Sequence, residues 1–395
     1  MLLVIERRIR FNIAIFPRWS SRLMEDTNGC FGTCPSPWVE RSSSVELARA
    51  GTHRRCSDAE IVGDIAEEQD VWTRPEDLTT SRRSYSLTPS KPGSDVAGNT
   101  AAALAAGSIA FKNKDATYAT TLLKAAVSLY EFASSNLGKY NDNMPPEVNE
   151  AYGSSGYKDE LALAAVWLYK ATWNRTYLEA AVRDNPTSVP WALEWDDKTA
   201  SAALLIYEQN GEQSFRTLVE DFLASYMPGG SVPYTPCGLA FRTDWGSLRY
   251  SANVVMLALF AAEILRNSRA ESYRSWAYGQ ITYMLGDNNY NMSYLIGYSD
   301  LYPLRPHHKA ASCPVPPKTC DWPNFEMSDP NTHVLYGALV GGPGSQDDYN
   351  DVRSDFKKNE VAVDYNSGFQ AAVAGLLHLQ LNGTLPEPSR SGCPR

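Results

Sequence analysis

A group of acidic residues near the end of the sequence has the composition that acid catalysis requires. It consists of Asp347, Asp348, Asp351, Asp355, Glu360 and Asp364. Glu360 precedes the apolar residues 361–363, and an apolar wall favours the protonated form of a carboxyl group, as a general acid requires. Because aromatic residues are interleaved with the acids and a glycine-rich turn precedes them, the pattern favours a concave loop. A solvated surface loop is the alternative.

Two adjacent histidines form a second candidate. His307 and His308 lie in a loop that Pro303 and Pro306 stiffen. Adjacent histidines can bind a metal ion, but no third ligand occurs at a usual spacing nearby. A neutral imidazole can equally bond a hydroxyl group of an uncharged ligand. The spacing therefore favours ligand binding over a metal site.

A second pair of carboxyl groups lies in the first half of the chain. Asp159 and Glu160 follow Ser155 and Gly156 and precede an amphipathic helical pattern. Hard oxygen ligands of this kind can hold a calcium ion. Acidic residues also stabilise the first turn of a helix through the helix dipole. Spacing alone favours this second role.

The overall composition limits the class of ligand. The 395 residues carry 36 basic and 45 acidic side chains, a net charge of -9, which argues against a nucleic-acid or anionic-membrane surface. With 10 Trp and 22 Tyr, the chain is rich in flat apolar faces that can fill a core or stack on a ligand. No run of about eighteen apolar residues occurs, so we expect no membrane-spanning segment. A neutral ligand suits this composition best.

Helices are the elements predicted to position these groups. The stretch from about residue 95 and the stretch 117–136 are rich in helix formers and lack internal proline. Apolar residues recur at helical spacing from Leu161 onward, and a last helix is predicted to begin near Asn366 or Ser367, either of which could cap it. Since no alternating strand pattern occurs, the predicted fold class is all-α, an array of helix pairs with long polar loops.

The two ends of the chain differ from this helical part. Residues 1–61 are rich in arginine and serine and show no period, so we expect an irregular segment, and residues 383–395 form a short tail. The apolar opening of the chain is interrupted by charges, which argues against a signal peptide. Three Asn-X-Ser/Thr triplets, at Asn174, Asn291 and Asn382, are glycosylation acceptors only if the chain enters the secretory pathway.

The seven cysteines suggest one local pair. Cys313 and Cys320 bracket the proline-rich loop CPVPPKTC, where a small disulfide is plausible in an oxidising compartment, with free thiols as the alternative. Cys30, Cys34 and Cys56 lack companions at metal-binding spacing. The cysteine pattern therefore predicts at most a disulfide and not a metal centre.

Several longer motifs occur together in a fixed order. They are SSGYKDELALAAVWLYKAT, LEWDDKTASAALL, YTPCGLAFRTDWGSLRYSAN, SYLIGYSDLYPLRPHHKAASCP and MSDPNTHVLYGALVGGPGSQDDYNDVRSDFKKNEVAVDYNSGFQAAVAGLL. Over about residues 62–382 the chain closely resembles glycoside hydrolase family 9, the endo-β-1,4-glucanases. The resemblance implies an (α/α)6 toroid of helix hairpins. It also implies inverting acid/base hydrolysis of internal β-1,4-glucosidic bonds in cellulose-type glucans.

The resemblance implies roles for individual residues. Glu360 matches the family's general acid, Asp351 the signature aspartate of the acidic loop, and His307 the signature histidine that binds substrate. The residues expected to bond or stack on glucose units are Trp245, His308, Arg353 and Tyr365. A calcium site of some members matches Ser155, Gly156, Asp159, Glu160 and Asp196. No cofactor is expected beyond this structural calcium, and the expected partner is a β-1,4-glucan or cello-oligosaccharide bound by a secreted monomer.

Two features depart from the family pattern. Lys309 stands where the histidine motif usually has arginine, so a point charge replaces a planar fork of donors. The N-terminal motif whose aspartates activate the water, Gly-Gly-Trp-Tyr-Asp-Ala-Gly-Asp-His, does not occur in the sequence, which predicts a toroid incomplete at its N-terminus. We therefore expect a fragment or a disturbed N-terminus of an endoglucanase. A non-catalytic glucan-binding relative is the alternative.

Overall fold

The structure, a computed structural model, describes residues 60–62, 65–79, 84–389 and 393. These residues divide into two compact units. The first unit contains residues 60–62, 84–189 and 196–216, and the second contains residues 65–79, 190–195, 217–389 and 393. Cys30, Cys34 and Cys56 lie outside the described residues, so the prediction for residues 1–59 stays a prediction.

Helices dominate both units. In chain order the strands and α-helices are β1 Glu60–Val62, α1 Ile65–Gln69, β2 Ser84–Ser86, α2 Ser94–Phe111, α3 Ala116–Ser135, α4 Pro146–Tyr152, α5 Lys158–Thr172, α6 Arg175–Asp184, α7 Thr199–Asn210, α8 Gln213–Tyr226, α9 Ser247–Leu265, α10 Ala270–Met284, α11 Lys309–Ser312, α12 Trp322–Glu326, α13 Phe356–Asn359 and α14 Val363–Leu381. Within the described ranges the only sheet is the antiparallel pair β1–β2, in which Ile61 lies opposite Tyr85. The last two residues of the predicted irregular segment therefore belong to a strand.

In the first unit, α2 packs against α3 and α5, and α5 packs against α6. The small residues of α2 let α5 approach closely, because a Cβ atom on Gly98 would lie 3.2 Å from the backbone of Glu160. Asp115 caps α3 by accepting a hydrogen bond from the backbone N–H of Tyr118. This packing fixes the first turn of α5, which carries Asp159 and Glu160.

In the second unit, α9 packs against α10 and α14. By length and composition alone α9 could cross a bilayer, but 78% of that stretch is buried inside the structure, as expected of a core helix. Its contact with α14 requires glycine at position 368, because a Cβ atom there would lie 2.7 Å from the backbone of Asn253. The close pairing of α9 and α14 brings together the segments that begin with Trp245 and Glu360.

The sequence predicted the middle of the helices better than their ends. The stretch 117–136 forms α3 almost as predicted, whereas the last helix begins at Val363, before the predicted start. Asn366 does not cap it, because its side chain bonds the carbonyl oxygen of Gly337 and the N–H of Leu339. The predicted Cys313–Cys320 disulfide is confirmed, and a second disulfide joins Cys237 to Cys393 in the tail.

Candidate active site

Glu360 occupies a short extended segment of the second unit between α13 and α14. Its backbone pairs in parallel with that of His307, and the N–H of His307 donates to the carbonyl oxygen of Asn359 at 2.8 Å. On the other side, the N–H of Gly341 donates to the carbonyl oxygen of Glu360 at 2.9 Å. The position of the predicted acid is therefore set by backbone hydrogen bonds to two other loops.

The carboxylate of Glu360 lies among polar groups of aromatic residues. Its Oε2 atom accepts hydrogen bonds from the Trp245 indole N–H and from the Tyr365 hydroxyl, both at 3.2 Å. Among the described residues its Oε1 atom accepts none. The prediction that residues 361–363 form an apolar wall beside Glu360 is wrong. The Val363 side chain is 85% exposed, and the carboxylate instead contacts the indole of Trp245 and the phenol of Tyr365. This asymmetry leaves Oε1 as the atom available to another molecule.

Trp245 keeps the placement expected of a stacking residue. Its side chain is 46% exposed, and its ring lies 5.1 Å from the ring of Phe356, which is also exposed. Tyr365 does not have the placement of a stacking residue. It is 2% exposed, so its ring face cannot reach a sugar. Burial and the nearby Glu360 raise the pKa of the Tyr365 hydroxyl, which keeps it a neutral hydrogen-bond donor. The stacking role predicted for Tyr365 is therefore corrected to orientation of the acid.

The two histidines have different environments. The Nδ1 atom of His307 lies 2.8 Å from the carbonyl oxygen of Arg353, and since a carbonyl oxygen only accepts, Nδ1 carries the proton and Nε2 has a free lone pair. His308 instead caps α11, because its Nδ1 accepts the N–H of Ala311 at 3.1 Å. Burial and the neighbouring His307 lower the pKa of His308. The geometry thus favours a ligand contact for His307 and a structural contact for His308.

Asp351 holds the loop that carries His307. Its carboxylate accepts the backbone N–H groups of Leu304 at 2.7 Å and Arg305 at 2.9 Å, and it also accepts the side-chain amide of Asn359 at 3.0 Å. Asn359 is fully buried and donates also to the carbonyl oxygen of Arg305. The carboxylate of Asp351 is therefore engaged in positioning the histidine loop beside Glu360.

Arg353 does not have the substrate-binding placement predicted for it. It is 2% exposed, so a sugar cannot reach its guanidinium group. Its nitrogens donate to the side-chain oxygen of Asn331 and to the backbone carbonyl oxygens of Phe325, Met327 and Asp329 at distances of 2.6 to 3.1 Å. Five donors in a fixed fork suit this purpose. The prediction is corrected: Arg353 organises the loop 325–331.

The other acids of the sequence cluster already have partners. Asp347 is buried and accepts from the Tyr283 hydroxyl and the Cys237 N–H, both at 2.6 Å. The remaining pairs are Asp348 with Lys358, Asp364 with Arg249, and Asp355 with the backbone N–H of Lys358. Of the six acids in the cluster, only Glu360 pairs through an extended backbone with a histidine, and its Oε1 atom accepts no hydrogen bond from the described residues.

Two residues near the acid were missed by the sequence reasoning. Arg249 on α9 pairs with Asp364 at 2.9 Å, and its guanidinium lies 5.1 Å from the Tyr365 ring centre. Asn359 links Tyr349, Asp351 and the histidine loop. The only local signal for Asn359 was its position directly before the acid. No local signal marked Arg249 as a neighbour of the acid, because Asp364 and Tyr365 are far along the chain.

The residues of the predicted calcium site belong to the first unit. Asp159 accepts the N–H of Lys198 at 2.6 Å, Asp196 accepts the N–H of Ser155 at 2.9 Å, and the Oε2 atom of Glu160 is buried without a hydrogen-bond partner. Burial and the adjacent Asp159 raise the pKa of Glu160 well above its ordinary value. Two buried carboxylates and an orphaned oxygen suit a hard cation, which would share the site with the Lys198 side chain that already interacts electrostatically with both carboxylates. No three such side chains gather within the described ranges, so carbonyl oxygens, such as that of Gly156, would have to complete the shell.

The site thus combines a carboxyl group and a histidine on adjoining loops of a helical fold. The sequence profile described as Glycosyl hydrolase family 9 matches residues 49–373, and the chain belongs to this family. An endoglucanase from Dictyostelium discoideum is 38% identical over 327 residues, which are 80% of this chain and 44% of that protein. The chain therefore spans less than half the length of this curated relative.

Solved structures agree with this assignment. The endoglucanase of the termite Nasutitermes takasagoensis has a TM-score of 0.81 and 37% identity over 95% of this chain and 86% of its own. Endoglucanase CelQ from Clostridium thermocellum, solved with cellotriose, has a TM-score of 0.73 and 34% identity over 84% of this chain and 55% of its own. The predicted all-α, (α/α)6 fold class is confirmed.

Proposed function

We propose that this chain is an endo-β-1,4-glucanase that hydrolyses internal bonds of cellulose-type glucans, with Glu360 as the general acid. The observation that carries the proposal is the Glu360 carboxylate, which is held on one oxygen by Trp245 and Tyr365 and lies beside His307. The cellotriose bound to CelQ supports a cello-oligosaccharide as the ligand. An uncharged glucan also fits the absence of a basic excess in the chain.

The hydrogen bonds indicate which oxygen transfers the proton. Trp245 and Tyr365 both donate to Oε2, so Oε2 bears no proton in this arrangement and a proton on Glu360 resides on Oε1. From Oε1 it passes to the glycosidic oxygen as the bond to the anomeric carbon breaks. His307, with its Nε2 lone pair free, accepts a hydrogen bond from a sugar hydroxyl on the same side. Trp245 offers its exposed ring face to a glucosyl unit.

An inverting reaction needs a second carboxylate, about 6.5–9.5 Å from the acid, to activate water. The acids that neighbour Glu360 in the sequence are committed to backbone amides or basic side chains, as shown above for Asp351 and Asp347. This observation favours a second candidate function, in which the chain binds glucan without cleaving it.

Two substrates and an added nucleophile separate the two functions. We expect cellopentaose to be cleaved slowly by the purified chain, and sodium azide, which can attack the anomeric carbon in place of activated water, to accelerate cleavage and give the α-glycosyl azide. Glu360→Gln should abolish both reactions, a loss of about 10²–10⁴-fold. The same variant should still release dinitrophenol from dinitrophenyl cellobioside with azide, because this leaving group needs no proton.

Each outcome has a defined meaning. Binding of cellopentaose without turnover, with or without azide, supports the glucan-binding function. Turnover of cellopentaose that survives Glu360→Gln overturns the assignment of the acid. Asp348→Asn is the matched control, because Asp348 lies in the same cluster but forms a surface ion pair with Lys358.

We further propose that the protein is a secreted monomer with a structural calcium ion at Asp159 and Glu160. The two disulfides support an oxidising compartment. The exposed positions of Asn174, Asn291 and Asn382 are compatible with N-linked glycans. Treatment of secreted protein with a peptide N-glycosidase should lower its mass, and sedimentation should give the mass of one chain.

A further inference from the structure

The segment 313–331, called here the disulfide loop, is held rigidly at several points. Cys313 and Cys320 close its first part. Arg74 donates to the carbonyl oxygens of Pro314 at 2.6 Å and Lys318 at 2.9 Å. Its second part is held by Arg353, which is itself buried and bonds three further backbone carbonyl oxygens of the loop. A surface loop with so many fixed carbonyl groups is preorganised.

This rigid loop presents one large aromatic side chain to solvent. Trp322 is 43% exposed and begins the short helix α12, which Asp321 and Asn324 close with a capping box. Its ring rests on two others, with centroid distances of 6.0 Å to Trp72 and 5.5 Å to Phe325. Exposure of a tryptophan costs hydrophobic free energy that burial would have recovered. Trp322 therefore keeps an open ring surface while its position is held by the loop.

The aromatic surface leads from Trp322 to the proposed acid. Trp72 is buried, its indole N–H bonds Ser312, and its ring meets that of His307 edge to face at 5.3 Å. His307 meets Phe356 at 6.1 Å, and Phe356 meets Trp245 at 5.1 Å. The order of rings is thus Trp322, Trp72, His307, Phe356 and Trp245. The two tryptophans at the ends of this row and Phe356 are exposed.

We infer that Trp322 is an additional stacking platform that binds a glucosyl unit of a β-1,4-glucan farther from Glu360 than the units at His307 and Trp245. Glucosyl units present flat apolar faces on which an indole ring stacks. A ring already fixed by the loop loses little conformational freedom when it binds. This inference rests on the proposed function and predicts that long chains bind more tightly than short ones. The alternative is that Trp322 only covers Trp72.

The test compares chain lengths in the Glu360→Gln background, where no turnover occurs. Dissociation constants for cellotriose and cellohexaose are measured by titration calorimetry. With Trp322→Ala we expect the affinity for cellohexaose to fall about tenfold and the affinity for cellotriose to stay within about twofold. Trp322→Phe should restore most of the loss. Val315→Ala is the matched control, because Val315 is exposed in the same loop and offers no ring.

A second variant tests the rigidity of the loop. Cys313→Ser with Cys320→Ser keeps Trp322 and removes the disulfide, so we expect an intermediate loss for cellohexaose. Equal affinities in Trp322→Ala and the parent overturn the inference while leaving the proposed function intact. An equal loss for both oligosaccharides, with a lowered Tm, assigns Trp322 to packing and overturns it as well. Absence of any oligosaccharide binding in the parent overturns the inference and the proposed function together.

Discussion

Two groups of carboxylates, one in each unit, differ in the hydrogen-bond donors and basic side chains that compensate their charges. In the cluster around Glu360, each of the other five acids accepts hydrogen bonds or pairs with a basic side chain. Asp351, for example, accepts two backbone N–H groups. At the start of α5, Glu160 is more deeply buried, has an oxygen without a donor, and lies next to another acid, Asp159. In the sequence both look like acidic clusters.

The contrast shows that the donors around a carboxylate, and not its sequence neighbours, indicate its use. A carboxylate with several amide donors is a structural support, because its charge is already compensated. One with a half-satisfied pair of oxygens beside open aromatic rings can exchange a proton with a ligand, as at Glu360. One that is buried and unsatisfied needs a proton or a cation, as at Glu160.

The largest change in the free energy of unfolding is expected at Arg353, whose guanidinium group holds the loop beside the site. Arg353→Ala should lower the free energy of unfolding by about 3 kcal/mol or more, because buried carbonyl oxygens that lose their donor cost about 1–3 kcal/mol each. Urea unfolding measures this change. Arg183→Ala is the control, because Arg183 is exposed and pairs only with the adjacent Asp184. A loss below about 1 kcal/mol in Arg353→Ala would mean that the loop does not depend on it.

Asp351 and Asp348 give a matched pair within one cluster. Asp351→Ala should cost about 2–4 kcal/mol and weaken cello-oligosaccharide binding, because two backbone donors beside His307 lose their acceptor. Asp348→Ala should change stability by less than about 1 kcal/mol, since it removes a surface ion pair. Similar effects in both variants would contradict the positioning role of Asp351.

Calcium binding tests the second group of carboxylates, Asp159 and Glu160. Addition of Ca²⁺ to chelator-treated protein should raise Tm by about 5 °C when the ion is at about 100 times its Kd. Glu160→Gln should remove the response, whereas Asp142→Asn should keep it, because Asp142 is an exposed acid of the same unit that pairs with Lys139. A response that persists in Glu160→Gln places the ion elsewhere.

The same carboxyl group predicts a pH dependence without calcium. The pKa of Glu160 is raised in the folded chain, so the folded state retains a proton that the unfolded state releases above its ordinary value of 4.5. The free energy of unfolding should therefore fall as pH rises above about 4.5, and calcium should flatten this slope. If Glu160→Gln leaves the pH dependence of the free energy of unfolding unchanged, Glu160 is not the group responsible for it.

The smallest effect is expected at His308. Its pKa is lowered by burial, so below its ordinary value of 6.5 the unfolded chain binds a proton that the folded chain does not, and stability is lost as pH falls. Protonation would also end the capping of α11 by Nδ1, worth about 1 kcal/mol. His308→Asn keeps a capping oxygen and cannot titrate, so its unfolding free energy should vary less between pH 7 and pH 5. Equal profiles would exclude this role.

Sequence patterns predicted much of the fold but only part of the site. Helix formers without proline located α3 to within a residue at each end. The start of α14 was misplaced, because Asn366 and Ser367 have the right chemistry for a cap but Asn366 is drawn to the distant loop at Gly337 and Leu339. Trp245 keeps an exposed ring, whereas Arg353 and Tyr365 were expected at the surface and are buried.

The sequence by itself determined the helical class and the family, because these depend on local propensity and on motifs contiguous in the chain. It suggested the Cys313–Cys320 pair, which is close in sequence, with free thiols as the alternative, and the structure contains that disulfide. Only the tertiary structure decided which side chains face the ligand and which hold the loops, as Arg353 and Trp322 show. The physical reason is that burial and hydrogen-bond partners come from residues far apart along the chain, and no local pattern records them.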